Sequence, residues 1–257
     1  MSGTILITGA ARRVGRFLAR GLAAQGYRIA AHYRGSEEEA RSLRRDIIAD
    51  GGRCEIFKAD LAIESEVANL VPAVAERLGP PDILINNASL FEKDSHFQSD
   101  RELWDRQMAV NLRAPFVLSR DFERHLPKDR HGLIVHMIDQ RVLKPNPLFA
   151  SYTLSKSALL ALTRTAAQAF APRIRVNAIG PGPVMASHHQ SDATFEAECA
   201  ALPLGRGPTL QEILDGIRYL IATPSLTGQM LALDGGQHLA WKTADMAFGG
   251  GERDGRQ

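Results

Sequence analysis

The strongest constraint on the fold lies at the start of the chain. An apolar, β-rich run, residues 4–8 (TILIT), is followed at once by Gly9-Ala-Ala-Arg-Arg-Val-Gly15 and then by helical periodicity over residues 17–25. That order reads strand, glycine turn, helix. Such a turn lets backbone N–H groups approach a pyrophosphate at a helix N-terminus, where the dipole also favours negative charge. Glycines also serve βα turns for conformational reasons alone. Arg12 and Arg13 within the loop add cations able to reach a phosphate or an anionic part of a substrate.

The pattern then repeats. Residues 27–33 form a second strand, and the residues after it choose between dinucleotides. An Asp or Glu there would accept from a ribose 2′-hydroxyl. The chain instead reads His32-Tyr33-Arg34-Gly35-Ser36, placing a guanidinium and a hydroxyl where a 2′-phosphate would sit. This favours NADP over NAD, or else it is an ordinary polar loop. Residues 37–50 are an amphipathic helix with Ser36 as N-cap and Gly51-Gly52 as its stop. A third strand, 54–58, closes on Ala59-Asp60-Leu61. A helix over 63–78 is interrupted by Pro72, and a fourth strand, 82–86, ends in Asn86-Asn87-Ala88-Ser89.

One helix or two over 104–125 carry Asn111. The fifth strand, 132–138, places Asp139 at its carboxyl end. Residues 173–179 form a sixth strand ending in Gly180-Pro181-Gly182-Pro183. Residues 185–208, with His188-His189, show little regular pattern and read as a lid or binding loop. A helix over 212–222, a strand over 230–233 and the turn Asp234-Gly235-Gly236 follow. The expected fold is α/β: one domain over residues 1–240, a doubly wound parallel sheet with helices on both faces. Residues 241–257, with Gly249-Gly250-Gly251, are expected to be a disordered tail.

Composition narrows the partners. With 31 basic and 29 acidic residues, net charge +2, no strong field recruits nucleic acid or an anionic membrane. Cys54 and Cys199 lack metal-ligand spacing and read as small buried residues in a reducing compartment. No metal site is expected; His188-His189 reads as a solvated pair. With no apolar run near the length of a membrane span and no charged leader before the first strand, a soluble cytoplasmic protein is expected.

The chemistry concentrates in residues 150–163 (ASYTLSKSALLALT), where Tyr152 and Lys156 share a helix face at i and i+4. A tyrosine that works as acid or base near neutrality needs its pKa lowered by roughly 2 to 3 units, ~3 to 4 kcal/mol, and a nearby ammonium supplies part of that. Alone, the pair is also a common surface coincidence.

Together these residues resemble the short-chain dehydrogenase/reductase family, a Rossmann-like fold, over roughly residues 3–240. The matches are Thr8-Gly9 with Gly15, Asp60, Asn86-Asn87-Ala88, Asn111, Tyr152 with Lys156, Pro181-Gly182 and Asp234-Gly235-Gly236. The resemblance implies that Tyr152 exchanges the proton and that Lys156 lowers its pKa while holding the nicotinamide ribose. It implies that Asn111 supports a proton-relaying water. It assigns the cofactor cleft to Gly9, Arg12, Arg13, Val14, Gly15, His32, Tyr33, Arg34, Ser36, Asp60, Leu61, Asn87, Ala88, Pro181, Gly182 and Val184.

Two departures point to one branch. Arg13 stands where the general loop has a third glycine, and Asp139 stands where the family has a catalytic serine. Both resemble pteridine reductases, as do His32-Tyr33-Arg34, Asn87-Ala88-Ser89-Leu90-Phe91 and Leu233-Asp-Gly-Gly-Gln-His-Leu239. That branch implies NADPH and a pterin of the dihydromonapterin, dihydrobiopterin or dihydrofolate class, and family members are commonly tetramers. It places Phe91 on the pterin ring, with Ser89 bonded to it, Arg13 at the phosphate and pterin edge, and Gly182 beside the substrate. A pterin C=N bond takes a proton as well as a hydride, and Asp139 could assist. The alternatives are that Asp139 only caps the next turn of a reductase of small carbonyls, such as a 3-oxoacyl thioester, or that its presence disables a dinucleotide-binding regulator. No Thr follows the Pro181-Gly182 turn to hold the carboxamide.

Overall fold

The structure, a computed structural model, describes residues 3–187 and 189–240; the expectations for the tail from residue 241 and for His188 lie outside these. Seven strands form one parallel sheet: β1 (Thr4–Ile7), β2 (Arg28–Tyr33), β3 (Arg53–Lys58), β4 (Ile83–Asn86), β5 (Gly132–Met137), β6 (Ile174–Pro181) and β7 (Met230–Leu233). Their order is β3-β2-β1-β4-β5-β6-β7. The central strands β1, β4 and β5 are short, largely apolar and buried along their length because helices cover both faces, whereas β3 and β7 are only partly buried. Ile5 and Ile7 pack with Leu18 of α1 (Arg13–Ala23), Leu43 of α2 (Glu37–Ala49) and, from the last long helix, Ile213. Leu6 faces the other way, with Val71 of α3 (Glu64–Leu78), Leu84, and Phe122 of α5 (Ala114–His125). Full burial of each such side chain contributes about 1.5–3 kcal/mol.

The chain order reverses between β1 and β4, and a parallel sheet opens a crevice at that point beyond the strands' carboxyl ends. The glycine loop follows β1 and the Asn87-Ala88 turn follows β4, so both face that crevice.

Several expected boundaries move. The segment 185–208 is not wholly irregular: α7 (Asp192–Ala200) forms there, with the Ser191 side chain accepting from Thr194 N. It buries none of its residues fully, so it carries no apolar stripe for periodicity to report. Pro72 lies inside α3 without ending it. Ser36 precedes α2, yet its side chain makes no capping hydrogen bond; Glu37, Glu38 and Glu39 complement the dipole in the first turn instead. The Tyr152 helix, α6 (Ala150–Phe170), runs 21 residues. The stretch expected as one helix or two is α4 (Arg101–Met108), a π turn (Ala109–Arg113) and α5. The last long helix, α8 (Leu210–Ala222), is closed by a Thr209–Glu212 capping box. Among the described residues, no helix is long and apolar enough to cross a membrane, and no cluster of three His, Cys, Asp or Glu could hold a metal.

Candidate functional site

Two cavities of ≈ 480 Å³ and ≈ 500 Å³ meet over the crevice, sharing Arg13, Val14, Asn87 and Ser89 on their walls. The first is walled by the glycine loop (Gly9, Arg12, Gly15), by His32, Tyr33, Arg34 and Ser36 at the end of β2, by Asp60 and Leu61 after β3, and by Ala88. The second is walled by Phe91, Asp139, Tyr152 and Lys156, and by Pro181, Gly182 and Val184 after β6. Residues spread over the whole sequence thus converge on one groove.

Its floor demands glycine at particular places. Gly9 has φ 63°, and a Cβ on Gly15 would stand 2.2 Å from Gly9 O and 2.7 Å from Asn87 Nδ2. Asn87 Nδ2 donates to Thr8 O at 2.8 Å, and Thr8 Oγ1 accepts from the amides of Asn87 and Ala88 at 2.9 Å each. The two turns are therefore stitched together. Arg13 takes φ 50° although it has a side chain, a conformation that costs on the order of 1–3 kcal/mol. Its guanidinium crosses the groove to donate to Ala186 O at 3.0 Å and Met185 O at 3.3 Å, tying the phosphate-loop side to the segment after β6.

His32 departs from its expected role. Its Nδ1 accepts from Gly9 N at 3.0 Å, so Nε2 carries the proton and meets Ala59 O at 3.0 Å. Both nitrogens are committed to holding the loop against β2 and β3, and burial lowers the pKa to about 4. His32 lies on the cavity wall as a neutral buttress, not as a donor reaching into it.

The α6 helix begins under constraint. Phe149, just before it, is left-handed at φ 57° and offers no cap; the buried Asp94 accepts from Ser151 N at 3.2 Å and receives the dipole. One turn on, Tyr152 Oη donates to Asp139 Oδ2 at 2.9 Å, while Asp139 Oδ1 accepts from Arg141 N at 2.8 Å and so caps the short helix Gln140–Val142. Lys156 is buried and donates from Nζ to Met137 O at 2.8 Å.

Protonation follows from burial. Tyr152 is pushed well above its ordinary pKa, first by burial and then by the Asp139 carboxylate. This reverses the expected lowering: Tyr152 is held with its proton on. Burial also raises Asp139, opposed by the amide and guanidinium of Arg141, and lowers Lys156 to about 8.

Asn111 lies in the π turn, a local bulge often found at functional sites. It donates to Leu90 O at 2.9 Å and Ser155 Oγ at 3.1 Å, and accepts from Leu90 N at 2.8 Å and Ser89 Oγ at 3.2 Å. It thereby fixes the segment carrying Ser89 and Phe91 against α6. Phe91 stacks on Phe149 at 4.3 Å and 11°, and meets the Tyr152 ring edge-on at 4.7 Å. One face of Phe91 is thus covered by Phe149. His189 stands 6.0 Å from Phe91 on the same wall.

Sequence reasoning passed over Asp94, Gln140, Arg141 and Phe149. The loop between Asp139 and α6 lacks periodicity, and only the proximity of Arg141 to Asp139 in sequence could have flagged it.

A family model for short chain dehydrogenases matches residues 3–197. A 3-oxoacyl-[acyl-carrier-protein] reductase FabG from Staphylococcus epidermidis is 29% identical over 244 residues, 93% of this chain and 100% of its own. The structure of FolM alternative dihydrofolate reductase 1 from Brucella suis, in complex with NADP, is 48% identical with a TM-score of 0.92, covering 95% of this chain and 98% of that one. A blue fluorescent protein from a metagenomic library, in complex with NADPH, is 29% identical with a TM-score of 0.85, covering 91% and 97%.

Proposed function

Because the chain belongs to the short chain dehydrogenase family, we propose that it is an NADPH-dependent reductase of a pterin, of the dihydromonapterin, dihydrobiopterin or dihydrofolate class. The observation that carries this reading is the Tyr152–Asp139 hydrogen bond: a carboxyl group stands at the proton-donating centre. FolM, a dihydrofolate reductase by name and 48% identical, supports the same substrate class.

The residues present fit the dinucleotide. The glycine loop at the start of α1 suits the pyrophosphate, Arg34 and Ser36 suit a 2′-phosphate, and Asp60, Leu61, Asn87 and Ala88 wall the space between. When bound, NADPH supplies the hydride to a pterin carbon. The protein supplies the proton to the adjacent nitrogen: Tyr152, kept protonated by burial, donates it, and Asp139, whose carboxyl is itself raised by burial, takes up a proton, turns the hydrogen bond between them round and returns that proton to the phenolate. Lys156 holds the nicotinamide ribose, and Asn111 supports the water that returns a proton to it. Phe91 stacks on the pterin, Ser89 bonds it, and Arg13 stands between the cofactor phosphate and the pterin edge. Pro181, Gly182 and Val184 wall the nicotinamide end. The enzyme works in the cytoplasm as a homotetramer.

A second reading has its own support: Asp139 Oδ1 does cap the following turn, and the 29% identical FabG reduces 3-oxoacyl thioesters by name. NADPH oxidation measured with 7,8-dihydromonapterin, 7,8-dihydrobiopterin, 7,8-dihydrofolate and a 3-oxoacyl thioester separates the two. Turnover of a dihydropterin is expected; turnover of the thioester alone would favour the second, and turnover of none would point to a binding protein.

A further inference from the structure

Arg141 occupies the wall of the second cavity in an arrangement that nothing above uses. Its amide is held by Asp139, and its guanidinium lies over the Phe149 ring, 5.3 Å from the centroid. Phe149 is stacked in turn on Phe91. The stack is kept in place although Phe149 adopts a strained left-handed backbone.

The guanidinium has unspent donors. Nε and Nη1 are shielded from solvent and find no acceptor among the described residues. The carboxylates of the same wall are already engaged. Asp139 accepts from Tyr152 and from the Arg141 amide, and Glu198 accepts from Gln190 at 2.6 Å and Gln237 at 3.2 Å. Stacking on an aromatic face compensates a cation in part, but it leaves the in-plane N–H groups unmet. A buried charged donor without an acceptor is costly, and a turn of the Arg141 side chain on ligand entry brings these donors to the cavity, where the ligand supplies the acceptor. The other cations of this wall are committed or at the rim: Arg13 is bound to Met185 and Ala186, Lys156 to Met137, and Lys93 is exposed.

We propose that Arg141 is a specificity-determining residue that binds a carboxylate on the substrate's tail, selecting pterins with an anionic substituent over those with a hydroxylated one. The planar guanidinium matches a carboxylate through paired N–H donors. Phe149 separates it from Phe91, so the group it meets is a substituent that reaches past Phe149, not the ring stacked on Phe91. This inference rests on the pterin-reductase reading.

The test compares 7,8-dihydrofolate, whose tail ends in carboxylates, with 7,8-dihydromonapterin, whose side chain is uncharged, on wild type, Arg141→Gln and Arg141→Lys. The ratio of kcat/KM for dihydrofolate to that for dihydromonapterin is expected to fall at least tenfold in Arg141→Gln, mostly through KM, with partial recovery in Arg141→Lys. In wild type, the KM for dihydrofolate should rise with salt more steeply than that for dihydromonapterin. An unchanged ratio together with equal salt dependence would overturn the assignment of Arg141 while leaving pterin reduction intact. Wild type that reduces neither compound would overturn the pterin reading, and this inference with it.

Discussion

Tyr152 Oη and Asp139 Oδ2 lie 2.9 Å apart, with the phenol donating and the carboxylate's second oxygen capping the next turn through Arg141 N. One side chain thus makes both contacts, to the phenol and to the turn, that the sequence had presented as alternatives. Burial and the Asp139 carboxylate both hold the proton on the phenol.

Tyr152→Phe removes that proton without touching the glycine loop or the β2 end. Turnover should fall by at least ~10² to 10⁴, the usual range for loss of a general acid, with NADPH affinity by fluorescence titration nearly unchanged. Retention of a tenth of the rate would rule the phenol out as the donor.

Arg34 and Ser36 wall the space beyond β2, where there is no acid to bind a ribose 2′-hydroxyl. A charge-assisted contact to a 2′-phosphate is worth roughly 1.5–3 kcal/mol, or about ten- to a hundredfold. NADPH should therefore be preferred over NADH in kcat/KM by that factor, and Arg34→Ala should narrow the gap. Equal constants for the two cofactors in wild type would show that neither side chain selects.

Among the described residues, the buried His32 and His136 each contribute to a loss of stability in acid. Burial lowers His32 to about 4, and burial followed by the Lys156 charge lowers His136 to about 3. Below about pH 6.5 the unfolded chain binds protons that the folded chain refuses, so stability is complete above that pH and falls as pH drops towards 4 and then 3. The loss is on the order of 3 to 5 kcal/mol per histidine when complete. Urea midpoints should drop between pH 7.5 and pH 5, less so in His32→Gln, which keeps a donor and an acceptor. Identical wild-type midpoints at the two pH values would contradict this.

Asp94 supplies the cap that Phe149 cannot, and Tyr152 lies in the turn it stabilises. Asp94→Ala should cost about 0.5–2 kcal/mol in thermal unfolding and lower kcat as well. Asp94→Asn, still an acceptor, should restore most of both. A variant with a reduced melting temperature and full activity would separate the cap from the catalytic geometry.

The sheet was legible because most strands are short runs rich in apolar residues and each is followed by a distinctive turn residue: Gly9, Arg34, Asp60, Asn87, Asp139, Gly182 and Asp234. Local pattern and global topology agree there. The helix α7 was not legible, because Asp192–Ala200 buries no residue fully and so carries no amphipathic period. The part His32 plays in the cleft wall was not legible for a different reason. A histidine beside a dinucleotide groove reads as a ligand until the Gly9 amide and the Ala59 carbonyl are seen to occupy both its nitrogens. The direction of the Tyr152 shift also escaped the sequence. The Tyr-x-x-x-Lys spacing brings Lys156 Nζ to 5.7 Å from the phenol ring, but burial and the Asp139 carboxylate set the direction of the shift, and neither is local to the helix.

The proposal that a carboxyl group makes this a pterin reductase is tested most directly by one comparison: kcat/KM for a 7,8-dihydropterin and for a 3-oxoacyl thioester, on wild type and on Asp139→Ser. Serine still caps the turn, so the fold around Arg141 should persist. Wild type is expected to favour the dihydropterin, and the variant to lose that activity by ~10² to 10⁴ while its use of the thioester holds or rises. Wild type that reduces the thioester and ignores the dihydropterin, with the variant unimpaired, would show that Asp139 is only a cap.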